Sequence, residues 1–425
     1  MASVAYAGCS SPVTGPADTG TSDGSLEDAG VRDATVVDAG GMTDAAAIDS
    51  GIADAGSSDS GMADASPSDS GAEADAGFDA GAGAQSCDHP VAIANNVGAH
   101  FFDLWADDQF VFWYEDYYPL GGAYAQRVYK VPADGSAAPI VVFEDPCNNN
   151  SHGVFTADAD NIYLNCVQVI DANRAVQIVR VPKTGTVAQP IYTSDRNVAA
   201  LDLNVSNMGA DGTSVFFTAN NSSEYRSIPR AGGPLNNIDP PDPRPAFIGV
   251  PYNITLFGGI MYWTTNYNQT GALVGMPSGG GAPVLLANDD ALFPGGNIGN
   301  LVIRDGYIYW RGMLAPYALW RLPLAGGTPT KIASLSFGGA QGQIALFGDN
   351  AYFADYVNGD LLVQAASLTS TSTGASAPAS TVIGTVAPPA NFVPLGLVNR
   401  IAANSTHLFV ADPGIHGDGH IYRCE

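Results

Sequence analysis

A motif of short apolar segments and turn residues returns seven times between residues 87 and 425, every 44 to 57 residues. Each copy has an apolar lead-in, an Asp, Gly or Asn turn, an aromatic-rich segment, a polar stretch and two further apolar segments. The aromatic segments begin at Phe110, Ile162, Val215, Ile260, Tyr307, Ala351 and Leu408. Short runs of aromatic and β-branched residues bounded by turn residues predict strands, four in each copy.

A second mark follows the aromatic segment in five of the copies. It is an apolar residue and Pro followed by one or two Gly, at residues 131–135, 181–185, 228–233, 276–280 and 322–327. Pro suits the end of a strand, and the Gly residues suit a tight hairpin turn. The sixth copy has a Ser/Thr-rich stretch at residues 367–381 instead.

Four strands in roughly 48 residues is the size of one propeller blade. The 50 Gly and 28 Pro residues also interrupt the chain too often for long helices. A single blade cannot bury both of its faces, so the copies must stack around an axis. The sequence therefore predicts an all-β fold, a seven-bladed β-propeller, with six blades as the alternative.

The two ends of the repeat region complement each other. The seventh copy reaches its third strand at residues 421–424 and has no fourth. Residues 89–94 match the fourth strands of other copies, at residues 282–287 and 328–333. We therefore expect an N-terminal strand to complete the last blade and close the ring.

The cysteines fit this closure. Cys87 precedes the predicted closing strand and Cys424 ends the third strand, so the two would meet where other blades have a hairpin turn. Loop-closure entropy would make such a disulfide worth up to about 5 kcal/mol. The predicted second disulfide joins Cys147 and Cys166, although four cysteines allow three pairings.

Residues 10–86 are a separate region, rich in Asp, Ala, Gly and Ser. They hold 15 Asp and Glu against Arg32, a net charge of −14 out of −26 for the whole chain. Such a segment cannot bury enough apolar surface to fold, which predicts a disordered linker. Its mostly five-residue Asp spacing does not match the ligand spacing of EF-hand calcium loops. We find no basic stripe, so we expect no nucleic-acid partner.

The first residues resemble a bacterial lipoprotein processing site. Small residues precede Cys9 in Tyr6-Ala7-Gly8-Cys9-Ser10, and the resemblance implies lipidation of Cys9 after removal of residues 1–8. Residues 1–9 would then be the remnant of an export signal. No segment has 18 consecutive apolar residues, so we expect membrane attachment only through Cys9. The predicted location is the outer membrane or cell surface, otherwise the periplasm or the extracellular space.

The repeat region, residues 87–425, resembles bacterial propeller repeats that read Asp-Gly-x-Ile-Tyr-Trp and then Ile-x-Arg-Val-Pro-x-Gly-Gly. The resemblance is clearest at residues 305–327, and Tyr262-Trp263-Thr264-Thr265 is similar to the YWTD motif of receptor-type propellers. The Asp-rich linker is similar to those of myxobacterial surface lipoproteins. These resemblances imply the fold and a surface location but no particular activity, since propellers have many functions.

Two sets of residues are candidate sites. When the copies are aligned, His100, His152, Asn297 and Gln341 occupy matching positions before the first strand, with Asn204 in the third copy. They predict a polar funnel for a small molecule, glycan or peptide end, although loops before first strands are polar in any propeller. In the last blade, His416, Asp418 and His420 could hold a divalent metal ion, or form an ordinary hairpin loop in which His420 begins a strand.

No catalytic motif known from other enzyme classes is present, and no cofactor other than that metal is implied. We therefore favour a monomeric, non-enzymatic surface module that binds a protein, peptide or glycan. The alternative is a propeller lyase or hydrolase, assisted by metal, with an extracellular substrate.

Overall fold

Runs of β-branched and aromatic residues between Gly, Pro and Asx turns form strands in a computed structural model of the protein. The structure describes residues 85–97, 101–117, 125–145, 155–170, 173–185, 187–194, 205–219, 224–240, 250–267, 270–288, 300–312, 317–335, 343–357, 360–369, 379–386, 400–412 and 419–425. Every regular element in these ranges is a β-strand. No helix in this part of the chain is long and apolar enough to cross a membrane. Cys9 and the predicted linker lie outside the described residues, apart from Gln85 and Ser86.

The described strands form seven antiparallel sheets of four strands each, which confirms the predicted seven-bladed propeller and excludes six blades. Blade 1 has β2 (Phe101–Ala106), β3 (Phe110–Tyr117), β4 (Ala125–Pro132) and β5 (Ile140–Asp145), and blade 2 has β6 (Phe155–Ala157), β7 (Asn161–Ile170), β8 (Asn173–Pro182) and β9 (Gln189–Thr193). Blade 3 has β10 (Val205–Ala210), β11 (Ser214–Ala219), β12 (Tyr225–Pro229) and β13 (Asn236–Asn237), blade 4 has β14 (Val250–Phe257), β15 (Ile260–Tyr267), β16 (Thr270–Pro277) and β17 (Val284–Asn288), and blade 5 has β18 (Val302–Arg304), β19 (Tyr307–Arg311), β20 (Ala318–Pro323) and β21 (Thr330–Ser334). Blade 6 has β22 (Ala345–Phe347), β23 (Asn350–Val357), β24 (Asp360–Ser367) and β25 (Thr381–Val386), and blade 7 has β26 (Arg400–Ala403), β27 (Leu408–Asp412), β28 (Gly419–Cys424) and β1 (Val91–Val97).

Blade 7 closes the ring in the predicted way. Its fourth strand is β1, which pairs antiparallel with β28 from Val91 opposite Arg423 to Val97 opposite Gly419. The first and last described strands therefore belong to one sheet. The ring is closed by the same backbone pairing that builds each of the other blades.

Buried apolar side chains hold the blades together. The described residues form seven apolar clusters, and each cluster lies between one blade and the next. The cluster that joins blade 7 to blade 1 contains Ile93 of β1, Trp113 of β3 and Phe409 of β27. Each blade thus buries its two faces against two neighbours, and no blade has a core of its own.

The Gly turns of the repeat dock onto the preceding blade. Gly232 has φ +88°, and a Cβ there would lie 3.3 Å from the carbonyl oxygen of Ile191 in β9. At Gly326, with φ +84°, a Cβ would lie 3.4 Å from the carbonyl oxygen of Leu286 in β17. Glycine supplies both the left-handed backbone and the close approach that these contacts need.

The basic residues of the repeat make hydrogen bonds between blades. Lys130 Nζ donates to the carbonyl of Lys183 at 2.8 Å, and Arg180 Nη1 donates to the carbonyl of Arg230 at 3.0 Å. The two equivalent bonds run from Arg321 to Leu368, at 3.2 Å, and from Arg423 to Asp134, at 2.8 Å. In the first two bonds the acceptor residue directly follows the Pro that ends the third strand of the next blade. In the third bond it follows Ser367, which stands in place of that Pro in blade 6. This repeat position therefore serves the fold.

Cys87 and Cys424 form the predicted disulfide, with their Cα atoms 4.7 Å apart. Both side chains are fully buried. The backbone N–H of Cys87 also donates to the carbonyl of Ile383 in β25, at 3.0 Å, so this segment joins blade 7 to blade 6. Cys166 is disulfide-bonded too, and its predicted partner, Cys147, lies outside the described residues.

Gly384 makes room for this closure, and its replacement by Ala should be destabilising. A Cβ on Gly384 would lie 2.4 Å from the carbonyl carbon and oxygen of Cys87. Because backbone must move, we expect Gly384→Ala to lower the free energy of unfolding by about 1–3 kcal/mol in urea titrations. Gly279→Ala is the matched control, since a Cβ there meets nothing within 4 Å. Equal stability of the two variants would contradict the close packing.

Candidate functional site

The two faces of the propeller differ in what they carry. On one, the turn face, short turns join strands one to two in every blade and strands three to four in blades 1 to 5, as at Asp305-Gly306 and Gly326-Gly327. On the other, the loop face, each first strand begins and each second strand ends. Most of the chain between second and third strands, and most of that before each first strand, lies outside the described residues. The described loop face therefore consists of strand ends and a few residues next to them, such as Asn300 and Gln343.

The first strands surround the axis, since those of neighbouring blades contact one another. Polar side chains on them bond across blades. Asn207 Nδ2 donates to the carbonyl of Pro251 at 2.8 Å, and Thr255 Oγ1 donates to the carbonyl of Leu301 at 2.9 Å. Asn300 makes two such bonds to Ile344, donating to its carbonyl at 3.0 Å and accepting from its N–H at 2.7 Å.

One bond of this set joins two blades that are not neighbours. Gln343 Nε2, just before β22 of blade 6, donates to Asp103 Oδ1 on β2 of blade 1, at 3.3 Å. Blade 7 stands between blades 6 and 1, so the two side chains meet on the axial side of its first strand, β26. Asp103 Oδ1 also accepts the N–H of Leu104 at 2.9 Å. A polar contact therefore lies at the axis near the loop face.

Irregular pairing accompanies two of these residues. The ladder between β2 and β3 skips one residue just before Asp103, and the ladder between β10 and β11 skips one just before Asn207. An extra residue in a strand bends it and re-aims the next side chain. The irregularities lie at the loop-face ends of both first strands, where these side chains make their bonds.

A buried polar layer lies under the loop face. We count each second strand from the residue after its preceding turn, which is Phe110 in blade 1 and His407 in blade 7. In every blade a buried polar residue stands at the fifth or sixth position; the set is Glu115, Asn165, Thr218, Thr264, Thr265, Arg311, Asp355 and Asp412. The preceding positions are mainly apolar and belong to the clusters between blades. Each second strand thus changes from apolar to polar at the same level.

An ion pair occupies this layer between blades 5 and 6. Arg311 Nη1 and Nη2 donate to Asp355 Oδ1 and Oδ2 at 3.0 and 2.6 Å. The side chains are 0% and 1% exposed, so both charges are withdrawn from water. The guanidinium also lies 5.5 Å from the ring centre of Phe353. Two parallel bonds hold the planar guanidinium in one orientation.

Glu115 provides a second charge in this layer, between blades 7 and 1. Tyr129, in the neighbouring strand, stacks on Trp113 with ring centres 5.0 Å apart. Its hydroxyl interacts with Glu115 and accepts a hydrogen bond from Arg127 at 3.4 Å. Burial, followed by the nearby charge of Glu115, raises the pKa of Tyr129 to about 12.

Blade 7 contains the one predicted site residue that the structure describes, His420. It is the second residue of β28, as the structural alternative expected, and it lies opposite the fully buried Asp412 of β27. Its ring centre is 5.4 Å from that of Tyr422, whose pKa is raised by burial and by Asp412. The Nδ1 atom of His420 is buried and has no hydrogen-bond partner among the described residues. Imidazole, carboxylate and phenol are thus neighbours near the loop face.

The other predicted site residues, His100, His152, Asn297, Gln341, His416 and Asp418, lie outside the described residues. No three His, Cys, Asp or Glu side chains are grouped as metal ligands in the described part. Both site hypotheses remain predictions.

Sequence reasoning missed the axial and layer residues. Asp103, Asn207 and Asn300 lie three residues beyond His100, Asn204 and Asn297, on or beside the first strand instead of in the loop before it. The signal for the layer was available, because a polar residue follows four mainly apolar ones in every aligned second strand.

These arrangements suit recognition of a polar ligand. The described residues at and beneath the loop face include carboxylates, amides, hydroxyls and the guanidinium groups of Arg127, Arg226 and Arg311, supported by apolar packing between the blades. Such groups donate and accept hydrogen bonds in fixed directions, which gives a site its specificity. Within the described residues we find no hydroxyl or thiol nucleophile bonded to a histidine on this face.

No protein-family model and no curated protein sequence matches this chain. Among solved structures, it is similar to a nidogen/laminin complex, with 15% identity, 62% of this chain and 90% of that chain covered, and a TM-score of 0.42. It is similar to an oligogalacturonate lyase in complex with manganese, with 11% identity, 64% and 77% covered, and a TM-score of 0.45. For YCF48 bound to D1 peptide the values are 10%, 80% and 99%, and 0.47. At these values nothing about this chain's function follows from the three structures.

The ion pair in the polar layer should be costly to break from one side. Arg311→Met leaves the carboxylate of Asp355 buried without its guanidinium, so we expect a loss of about 3–5 kcal/mol in the free energy of unfolding. The double variant Arg311→Met/Asp355→Leu removes both charges and should lose clearly less. Urea titrations of the three proteins measure this difference. A single variant no less stable than the double one would contradict a buried pair.

The raised pKa of Tyr129 predicts a loss of stability in alkali. The folded state retains the phenolic proton above the ordinary pKa of 10, so this contribution is complete below pH 10 and lost as the pH rises through about 12. We expect Tyr129→Phe to lessen the fall in unfolding free energy between pH 9 and 11.5, by about 1–2 kcal/mol after solvent screening. Val187→Thr, at an exposed position, is the control. Identical alkaline slopes in Tyr129→Phe and wild type would refute the assignment.

Proposed function

We propose that this protein is an exported, non-enzymatic binding module whose loop face recognises a polar ligand, a peptide or a glycan. The observation that carries the proposal is the buried polar layer, which recurs in all seven blades and lies under the loop face. Withdrawing polar and charged groups from water is costly even where they are bonded to one another, so a layer repeated in every blade calls for a benefit that offsets this cost. Specific hydrogen bonding at the loop face supplies one.

The position of the chain's first described residues supports the assignment of binding to the loop face. Ser86 and Glu425 exchange backbone hydrogen bonds of 3.0 and 3.1 Å, at the turn face, where the third strand of blade 7 ends. The Asp-rich linker of the sequence continues from Gln85. If that linker ends in a lipid on Cys9, the tether is attached at the turn face and leaves the loop face accessible to external ligands.

The linker would set the reach of the module. A flexible chain of 75 residues has an end-to-end distance of roughly 50 Å, and repulsion between its carboxylates extends it further. That distance is enough to present a propeller beyond the lipid headgroups. The proposal therefore assigns attachment to residues 1–84 and recognition to the loop face of residues 85–425.

Ligand selection on the full chain tests the proposal. A glycan array and a random dodecapeptide library are screened, and the dissociation constants of enriched ligands are measured for wild type, Asp103→Asn and Gln343→Leu. We expect both variants to bind at least about tenfold more weakly, the effect of losing one hydrogen bond to a charged group. Val187→Thr, 69% exposed at the turn-face start of the outer strand in blade 2, is the control. Equal binding by all four proteins would place the site elsewhere.

Metal analysis distinguishes the alternative, a metal-assisted enzyme. The chain is purified without chelator or nickel resin and analysed by mass spectrometry, and we expect no stoichiometric metal. A metal ion that is bound in wild type and lost in His416→Ala/His420→Ala would contradict a non-enzymatic module. It would direct the search to lyase and hydrolase activity.

A further inference from the structure

The linker joins the propeller at its closure point. Gln85 and Ser86 end the linker, Cys87 follows them, and the closing strand β1 begins at Val91. Gln85 is held on both sides, since its N–H donates to Tyr352 Oη at 3.1 Å and its Nε2 donates to the carbonyl of Thr406 at 3.1 Å. The junction therefore contacts blade 6 and blade 7 before β1 begins.

The closing strand is a weak place to apply force. β1 is the outermost strand of blade 7 and pairs with one neighbour only. Its ladder with β28 is interrupted twice, between Ala92 and Ala94 and between Asn95 and Val97. A pull on the N-terminal end of β1 would be resisted by a short, irregular set of backbone hydrogen bonds. Loss of that pairing would open the ring.

The disulfide offers a different path for force. Cys424 ends β28, which pairs on one side with β1 and on the other with β27. Both cysteines are fully buried, and Gly384 lets the backbone of Cys87 lie directly against β25. Tension that reaches Cys87 can thus pass through a covalent bond into a strand held on both sides.

We propose that Cys87–Cys424 is a mechanical clamp that separates the tether from the ring closure. Tension along the linker enters the propeller at Cys87 and β28 and bypasses β1, so a tethered propeller stays closed while it is pulled. The inference rests on the proposed function only in taking the linker as a tether. It assigns the disulfide a mechanical role besides its effect on the unfolded chain.

Single-molecule pulling on the full chain tests the clamp. One handle is attached before the linker, and the other is inserted between β15 and β16, on the loop face of blade 4. In the oxidised protein we expect no event before the propeller itself unfolds. In Cys87→Ser/Cys424→Ser we expect an earlier event at lower force that releases residues 85–97, a length of at most about 45 Å. Cys166→Ser, which removes a cysteine away from the closure, should lack this event.

Two results would overturn the clamp, namely the early event in oxidised wild type or its absence in the double Ser variant. If that variant fails to fold, wild type alone decides. Moving the first handle from the linker to a position after Glu425 pulls on the other side of the disulfide, and the clamp requires equal first unfolding forces. A lower force from the linker side would refute it. No ligand is used, so failure of the binding proposal would leave these outcomes unchanged.

Discussion

Closure of the ring is the constraint on which the rest of this structure depends. No blade has a core of its own, because the apolar clusters all lie between neighbouring blades. An open array would expose the apolar faces of its first and last blades to water. Pairing of β1 with β28 brings those blades together and completes the cluster around Trp113 and Phe409. The disulfide then fixes covalently what the backbone pairing closes.

Most residues of the repeat motif make contacts between stacked blades. Its Gly turn docks on the preceding blade, and its basic residue bonds to the carbonyl that follows the next Pro, as Arg180 does to Arg230. Aromatic residues such as Tyr163 and Trp310 fill the space between blades. A motif whose parts all serve contacts between blades specifies the architecture strongly and the ligand hardly at all.

This division explains which features could be predicted from the sequence. The strands, the seven blades, the closing strand and the Cys87–Cys424 pair were predictable because each follows from a local pattern repeated at a fixed interval. The axial bond between Asp103 and Gln343 was not, because it joins residues that are 240 positions apart. The polar layer was missed for another reason. Single residues such as Thr218 and Asp355 acquire meaning only when all seven second strands are aligned.

The buried charges in that layer are difficult to explain by stability alone. The Arg311–Asp355 pair is almost fully removed from water, and replacing such a pair with apolar residues often leaves a protein equally stable or more so. Apolar residues also occur at this level, since Ala354 of blade 6 and Ala411 of blade 7 are buried at the fifth position of their second strands. Under the proposed binding function, fixed polar groups beneath the loop face act on a bound group through a medium of lower dielectric constant than water, where their effect is larger. We therefore interpret the layer as a support of the proposed binding surface.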